Sequence, residues 1–167
     1  ELTDGLPEGV AKVGLFVDPT GAALDQVLGQ VRLDFIQLHG SETPVRIDAI
    51  RLEYAVPVIK AVGVADAGDI QKADAFAGHA DRLLFDAKPP AGADRSGGNA
   101  QAFNWPLMKG YSGALPWLLA GGLTPDTVAT AIAQSGANAV DVSSGVESAP
   151  GRKDPALITA FLEAAKA

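Results

Sequence analysis

Two stretches of the chain combine residue types suited to holding an anion. One is Leu118-Leu119-Ala120-Gly121-Gly122-Leu123-Thr124-Pro125; the other is Ala139-Val140-Asp141-Val142-Ser143-Ser144-Gly145-Val146-Glu147. Each is an apolar run that stops at small residues ahead of a helical pattern. Such a junction presents backbone N–H groups at the positive end of a helix, where a phosphate is stabilised. Gly121 and Gly122 have no side chain to keep an anion off their amides. Ser143 and Ser144 add hydroxyls, and Gly145 continues the turn. Either turn alone reads more readily as a tight strand-to-helix connection. The pair, about one strand–helix unit apart, reads as a single phosphate grip. Asp86 closes another apolar run, Leu83-Leu84-Phe85. Desolvation at such a strand end can raise a carboxyl's pKa so that it carries a proton. Capping the next turn or pairing with Lys88 is the competing role for Asp86.

Other polar residues sit on or beside apolar runs. His39 ends Phe35-Ile36-Gln37-Leu38 and can line a pocket there, or be an ordinary satisfied strand-end histidine. Gln37 alternates with it and either fills the interior or pairs with a neighbour. Lys60 lies inside the run Val56–Val64; a buried ammonium needs a carboxylate, so an interior ion pair is expected. Asp141 can point toward the same end of the fold as the turns, or form a structural ion pair. His79 reads as a surface residue, and Trp105 and Trp117 as packing residues.

Composition narrows the classes. The 167 residues are 47% hydrophobic and 20% charged, with a net charge of −7. That is a globular composition long enough for one domain with a sizeable core. The acidic balance argues against nucleic acid as a partner and means that an anionic ligand must be attracted by local dipoles and a few cations. No run is long enough to span a bilayer. The absence of cysteine excludes disulfides and thiolate metal sites and points to a cytoplasmic setting. His39 and His79 form no metal-ligand cluster.

The elements that position these residues follow from the alternation of patterns. Apolar runs at Ala11–Val17, Phe35–Leu38, Val56–Val64, Arg82–Phe85, Pro116–Ala120 and Ala139–Val142 read as six parallel strands. Helical patterns fall between and after them, at Ala22–Leu28, Val45–Leu52, Ala67–Phe76, Val128–Ala133 and Ala156–Ala165. Thr43-Pro44, Thr124-Pro125 and Asp154-Pro155 each supply an N-cap followed by proline at the first helical position. The long connection Ala87–Asn104 reads as a functional loop or a surface insertion. Strand–helix alternation with phosphate-type turns placed last, and no Gly-x-Gly-x-x-Gly after the first strand, favours an α/β barrel over a doubly wound sheet. Six strands are two short of a (β/α)₈ barrel, and eight units need roughly 200 residues or more.

The motifs in series resemble those of the phosphoribosylanthranilate isomerase family. They are Gln37-Leu38-His39-Gly40, Ile59-Lys60-Ala61, Leu83-Leu84-Phe85-Asp86, Gly97-Gly98-Asn99 with Phe103-Asn104-Trp105, Gly121 to Pro125, and Asp141 to Glu147 with Pro150-Gly151-Arg152-Lys153-Asp154. The resemblance runs from about Val10 to the C-terminus. It implies one TIM (β/α)₈ barrel domain over residues 1–167, incomplete, with the six strands corresponding to strands three to eight. It also implies an aldose–ketose isomerase of tryptophan biosynthesis. The enzyme carries out an Amadori rearrangement of a phosphoribosyl-amine to an amino-ketose, with no metal or cofactor. By that resemblance Asp86 is the general acid, and Gly121, Gly122, Ser143, Ser144 and Gly145 hold the phosphate. Asp141 touches the anthranilate or sugar part of the substrate, and His39 lines the pocket.

The chain departs from the family at the start. The general-base cysteine and an arginine normally lie in the first two strands, and no cysteine is present. The non-methionine start, with the break at a unit boundary, reads as a fragment of a normal gene, inactive by itself. Its open sheet edges would make it marginally stable. The expected partner is a small phosphorylated substrate, with no nucleic acid or membrane. The parent would be a monomer or homodimer, with fusion to a neighbouring pathway enzyme possible in the family. Competing readings are a non-catalytic phosphate-binding barrel remnant and a related enzyme, such as indole-glycerol-phosphate synthase or a histidine-pathway sugar isomerase.

Overall fold

The computed structural model describes residues 5–88 and 102–167. Most of the Ala87–Asn104 connection, including Gly97-Gly98-Asn99, lies outside the described residues.

Five strands form one parallel sheet in chain order: β1 (Val13–Phe16), β2 (Phe35–Leu38), β3 (Val58–Val64), β4 (Arg82–Ala87) and β5 (Trp117–Leu119). Between them run α1 (Gly21–Leu28), α2 (Pro44–Tyr54) and α3 (Ala67–Lys72), the last extended by a 3₁₀ turn over Ala73–Phe76. After β5 come α4 (Val128–Ser135), a small antiparallel pair β6 (Glu147–Ala149) and β7 (Arg152–Lys153), and α5 (Pro155–Ala164).

The sixth expected strand is not formed as such. Residues 139–141 dock beside β5 through Leu119 N–H to Ala139 O (3.0 Å) and Asp141 N–H to Leu119 O (2.8 Å), a single parallel bridge at Val140. β5 stops at Leu119, because Gly121 and Gly122 both turn into the left-handed region, with φ of +87° and +64°. No longer ladder has room to form. The sheet is therefore open among the described residues: β1 has a strand neighbour on one side only.

Register sorts the strand residues onto two faces, since paired residues point the same way. Phe35, Ile59, Ala61, Leu84, Leu118 and Ala120 cluster on the face away from the helices. The opposite face carries two larger clusters under the helices. Leu24, Ile36, Leu38, Ile47, Ile50 and Val58 form one of them. The other joins Val62, Leu83, Phe85 and Leu119 to Leu123, Val128, Ala131 and Phe161. Phe85, Tyr111 and Trp117 pack edge-to-face, with ring centroids 5.1–6.1 Å apart. Trp117 is thus a packing residue. On β1 and just after it, the inner-face residues Val13, Leu15 and Val17 remain 45–59% exposed.

Helix starts follow the capping pattern with one exception. The Thr43 hydroxyl accepts from Arg46 N–H, and the Asp154 carboxylate from Ala156 and Leu157 N–H, each ahead of a proline at the first helical turn. At Thr124-Pro125 the expected cap is displaced: α4 begins at Val128 with Thr127 as N-cap. The Thr127 hydroxyl folds back to accept from Thr124 N–H at 2.9 Å, so residues 124–127 form a separate turn before the helix.

Candidate active site at the strand ends

Alternation along the sheet carries His39, Gly63 and Asp86 to the inner face at the C-terminal ends of β2, β3 and β4. There they line a cavity of about 410 Å³ with Val17, Asp18, Ala61 and Lys88. Asp86 is 8% exposed. Its Oδ1 accepts from Ala87 N–H at 2.8 Å, and its Oδ2 lies 3.1 Å from His39 Nε2. Lys88 does not pair with it; that ammonium sits 3.4 Å from Asp69 Oδ2. The Gln37 amide nitrogen is 3.3 Å from His39 Nδ1, so one ring nitrogen faces Gln37 and the other Asp86.

The two small-residue turns meet beside this pair. A Cβ built on Gly121 would lie 2.6 Å from Ala87 N and 3.1 Å from Asp86 Oδ1, so the turn after β5 runs hard against the end of β4. A Cβ on Gly145 would overlap the carbonyl oxygen of Leu123 and lie 2.9 Å from its carbon. The turn at 143–145 therefore rests directly on the turn at 121–124. It is braced from the far side by Lys153, whose ammonium donates to Ser143 O (2.8 Å) and pairs with Glu147 Oε1 (2.7 Å). Asp154 N–H donates to Val146 O at 2.9 Å and joins the start of α5 to the same segment.

Asp141 belongs electrically to this group. Burial pushes its carboxyl above the usual range, and the negative charge of Asp86 pushes it further; His39 and Lys153 act in the opposite sense. Among the described residues no cluster of three or more His, Asp or Glu could hold a metal ion, and no helix is long and apolar enough to cross a membrane.

The expected buried partner of Lys60 is found. Register places Lys60 opposite Leu38 and Leu83, on the helix-facing side of the sheet. Its ammonium pairs with Glu42 at 2.7 Å. Sequence reasoning missed Glu42; its place three residues after His39, at the capped start of α2, was the available signal. His79 is a surface residue, its Nδ1 2.8 Å from Asp48. The Trp105 indole Nε1 is buried without a hydrogen-bond partner among the described residues.

Strand ends that gather an acid, an imidazole and two abutting small-residue turns on one side of a parallel βα sheet have the layout of an α/β barrel-type enzyme site. The family model described as N-(5'phosphoribosyl)anthranilate (PRA) isomerase matches residues 3–164. The chain belongs to that family, whose members isomerise phosphoribosylanthranilate in tryptophan biosynthesis. It is 60% identical over 166 residues to the N-(5'-phosphoribosyl)anthranilate isomerase of Paramagnetospirillum magneticum, a match covering 99% of this chain and 77% of that protein. Among solved structures it resembles phosphoribosyl anthranilate isomerase from Thermotoga maritima, with 36% identity and a TM-score of 0.82 over 96% of this chain and 75% of that one. Another structure is of the isomerase in complex with reduced 1-(o-carboxyphenylamino)-1-deoxyribulose 5-phosphate (32% identity, TM-score 0.75, 97% of this chain and 74% of that one).

Proposed function

We propose that Asp86 is the general acid of this isomerase, and that the turns at 121–122 and 143–145 hold the substrate phosphate. The observation that carries the reading is the position of the Asp86 carboxylate, in contact with His39 on one side and packed against Gly121 on the other. An acid and a phosphate grip then address one bound molecule.

The rearrangement starts when a proton goes to the ring oxygen of the sugar, the C–O bond at the anomeric carbon breaks, and the amine nitrogen lone pair forms the C=N bond. Loss of the C2 proton to a base then gives the enolamine, which tautomerises to the ketose. Asp86 must hold a proton at the outset. His39 keeps one tautomer throughout: its Nδ1 accepts from the Gln37 amide nitrogen and its Nε2–H donates to Asp86 Oδ2. The proton that Asp86 gives up goes to the ring oxygen, and the carboxylate left behind is held by His39 Nε2–H and by Ala87 N–H. Asp141, whose carboxyl is raised by burial, contacts the sugar or the anthranilate part of the substrate.

The 167 residues contain no cysteine, so the base assigned by family resemblance is absent from them. A positioned base contributes about 10²–10⁴-fold. We infer that the chain assayed by itself binds substrate analogues but does not turn substrate over. We read the chain as one domain, an incomplete (β/α)₈ barrel whose apolar runs correspond to strands three to eight. The test pairs a turnover assay on phosphoribosylanthranilate with calorimetric titration of the reduced carboxyphenylamino-deoxyribulose 5-phosphate, using the wild-type chain and Asp86→Asn. Binding without turnover is expected. Turnover at enzymatic rates overturns the inactivity, and absence of binding overturns the phosphate grip.

A further inference from the structure

Glu42 and Lys60 form an ion pair whose side chains are only 2% and 3% exposed, on the helix-facing side of the sheet, directly behind His39. Neither reaches the cavity. Between them, however, they hold the backbone on both sides of His39.

Lys60 uses all three ammonium protons. They go to Glu42 Oε2 (2.7 Å), Gly40 O (2.7 Å) and Leu38 O (3.3 Å). Glu42 accepts from Gly40 N–H (3.0 Å to Oε2) and from Asp18 N–H (2.8 Å to Oε1). Three successive peptide units are fixed as a result. In the unit joining Leu38 to His39, the carbonyl is held by Lys60 and the N–H by Phe16 O at 2.8 Å. In the next, Gly40 N–H is held by Glu42. In the third, Gly40 O is held by Lys60, and Ser41 N–H by Asp18 Oδ1 at 2.8 Å. Asp18 itself stands in the left-handed region at φ +45°, and a Cβ on Gly40 would lie 2.6 Å from its carboxyl carbon. The turn after β1 and the turn after β2 are thus locked face to face through one buried pair.

Stability alone does not account for such a pair. An apolar side chain at position 60 would suit its neighbours Leu38 and Leu83, and buried ion pairs are often no more stabilising than apolar replacements. What an apolar pair cannot do is hold three peptide units. Reactive groups must be kept within about 0.5 Å of their working geometry. We propose that Glu42 and Lys60 are positioning residues for His39, fixing the turn that holds its imidazole against Asp86. This rests on reading His39 and Asp86 as the reactive pair.

The test uses the chain's two histidines, which give two imidazole patterns in a long-range ¹H–¹⁵N spectrum. His79, on the surface, serves as the internal control. Lys60→Met strands a buried carboxylate and lowers the melting temperature by about 10 °C. The double variant Lys60→Met/Glu42→Gln removes that charge, keeps an acceptor for Asp18 N–H, and recovers at least half of the loss. If the pair positions His39, the recovered double variant still shows His39 ring nitrogens shifted toward the averaged values of an unrestrained imidazole. Its affinity for the reduced carboxyphenylamino-deoxyribulose 5-phosphate falls about tenfold, while His79 is unmoved. A double variant with wild-type His39 signals overturns the proposal. Because the ring signal is read without ligand, failure of the wild-type chain to bind the analogue counts against the assignment of the site and leaves this outcome readable.

Discussion

Gly145→Ala probes the joint grip of the two turns directly. Gly145 sits on the backbone of Leu123 and Thr124. An added Cβ would overlap Leu123 O, fall 2.9 Å from the Leu123 carbonyl carbon and 3.3 Å from Thr124 Cα. All three are backbone atoms, so no rotamer change relieves the overlap, and the turns must separate by about 1.5 Å to reach ordinary contact. A separation of that size takes an N–H···O distance from about 2.9 Å to more than about 4 Å, beyond hydrogen-bonding range, for any phosphate oxygen held by both turns. Losing one charge-assisted hydrogen bond costs about 1.5–3 kcal/mol, or roughly 10- to 100-fold in Kd. Calorimetric titration of the reduced carboxyphenylamino-deoxyribulose 5-phosphate and of inorganic phosphate should both show this loss, because the damage is at the group they share. Gly21→Ala is the control: its Cβ would meet only the Tyr54 hydroxyl at 3.9 Å, and affinity should stay at the wild-type value. A folded Gly145→Ala chain that binds within twofold of wild type refutes the idea that these turns act on one ligand.

Three further outcomes follow from the geometry. Asp86→Asn removes one of the two causes that raise Asp141, so the Asp141 midpoint moves down toward the ordinary carboxylate range; carboxyl ¹³C chemical shifts followed against pH will show it. Asp69 is held down to about 2 from 3.8 by Lys72, then by Ala65 N–H, with Lys88 helping. A depressed carboxylate stabilises the fold above its unfolded pKa and loses that contribution as pH falls through its folded one. Wild-type melting temperature should therefore drop between about pH 4 and pH 2, and Asp69→Asn should flatten that part of the curve. Ala55 ends α2 at φ +52°, a conformation that costs a non-glycine residue about 1 kcal/mol or more. Ala55→Gly should raise the melting temperature by a few degrees in a thermal scan.

Much of this arrangement was legible because it is local. Five of the six apolar runs form the expected strands in the expected order, and Thr43-Pro44 and Asp154-Pro155 cap helices as their chemistry dictates. Period-two alternation puts Gln37, His39 and Asp86 on one face, so their meeting followed once the register was in phase. What could not be read were choices made by distant partners. Lys60 announced a carboxylate but not which one, since Glu42 lies 18 positions away on a turn, and nothing local says that Lys60 faces the helices. Thr124-Pro125 offered a good cap, yet the Thr124 hydroxyl pairs with the Thr127 hydroxyl at 3.0 Å, and the helix starts only at Val128. The sixth run had strand composition, but two left-handed glycines in the neighbouring segment left it a single bridge to make.

The bare inner side of β1 shapes how these molecules behave toward one another. Val13, Leu15 and Val17 lie uncovered beside a strand that has no second strand neighbour among the described residues, a surface that invites a further strand to add itself. The opposing influence is the excess of seven negative charges, which keeps copies apart only over the Debye length. Light scattering should therefore show self-association answering to ionic strength: dispersed molecules in dilute buffer, and association as added salt removes the repulsion while leaving the apolar flank intact.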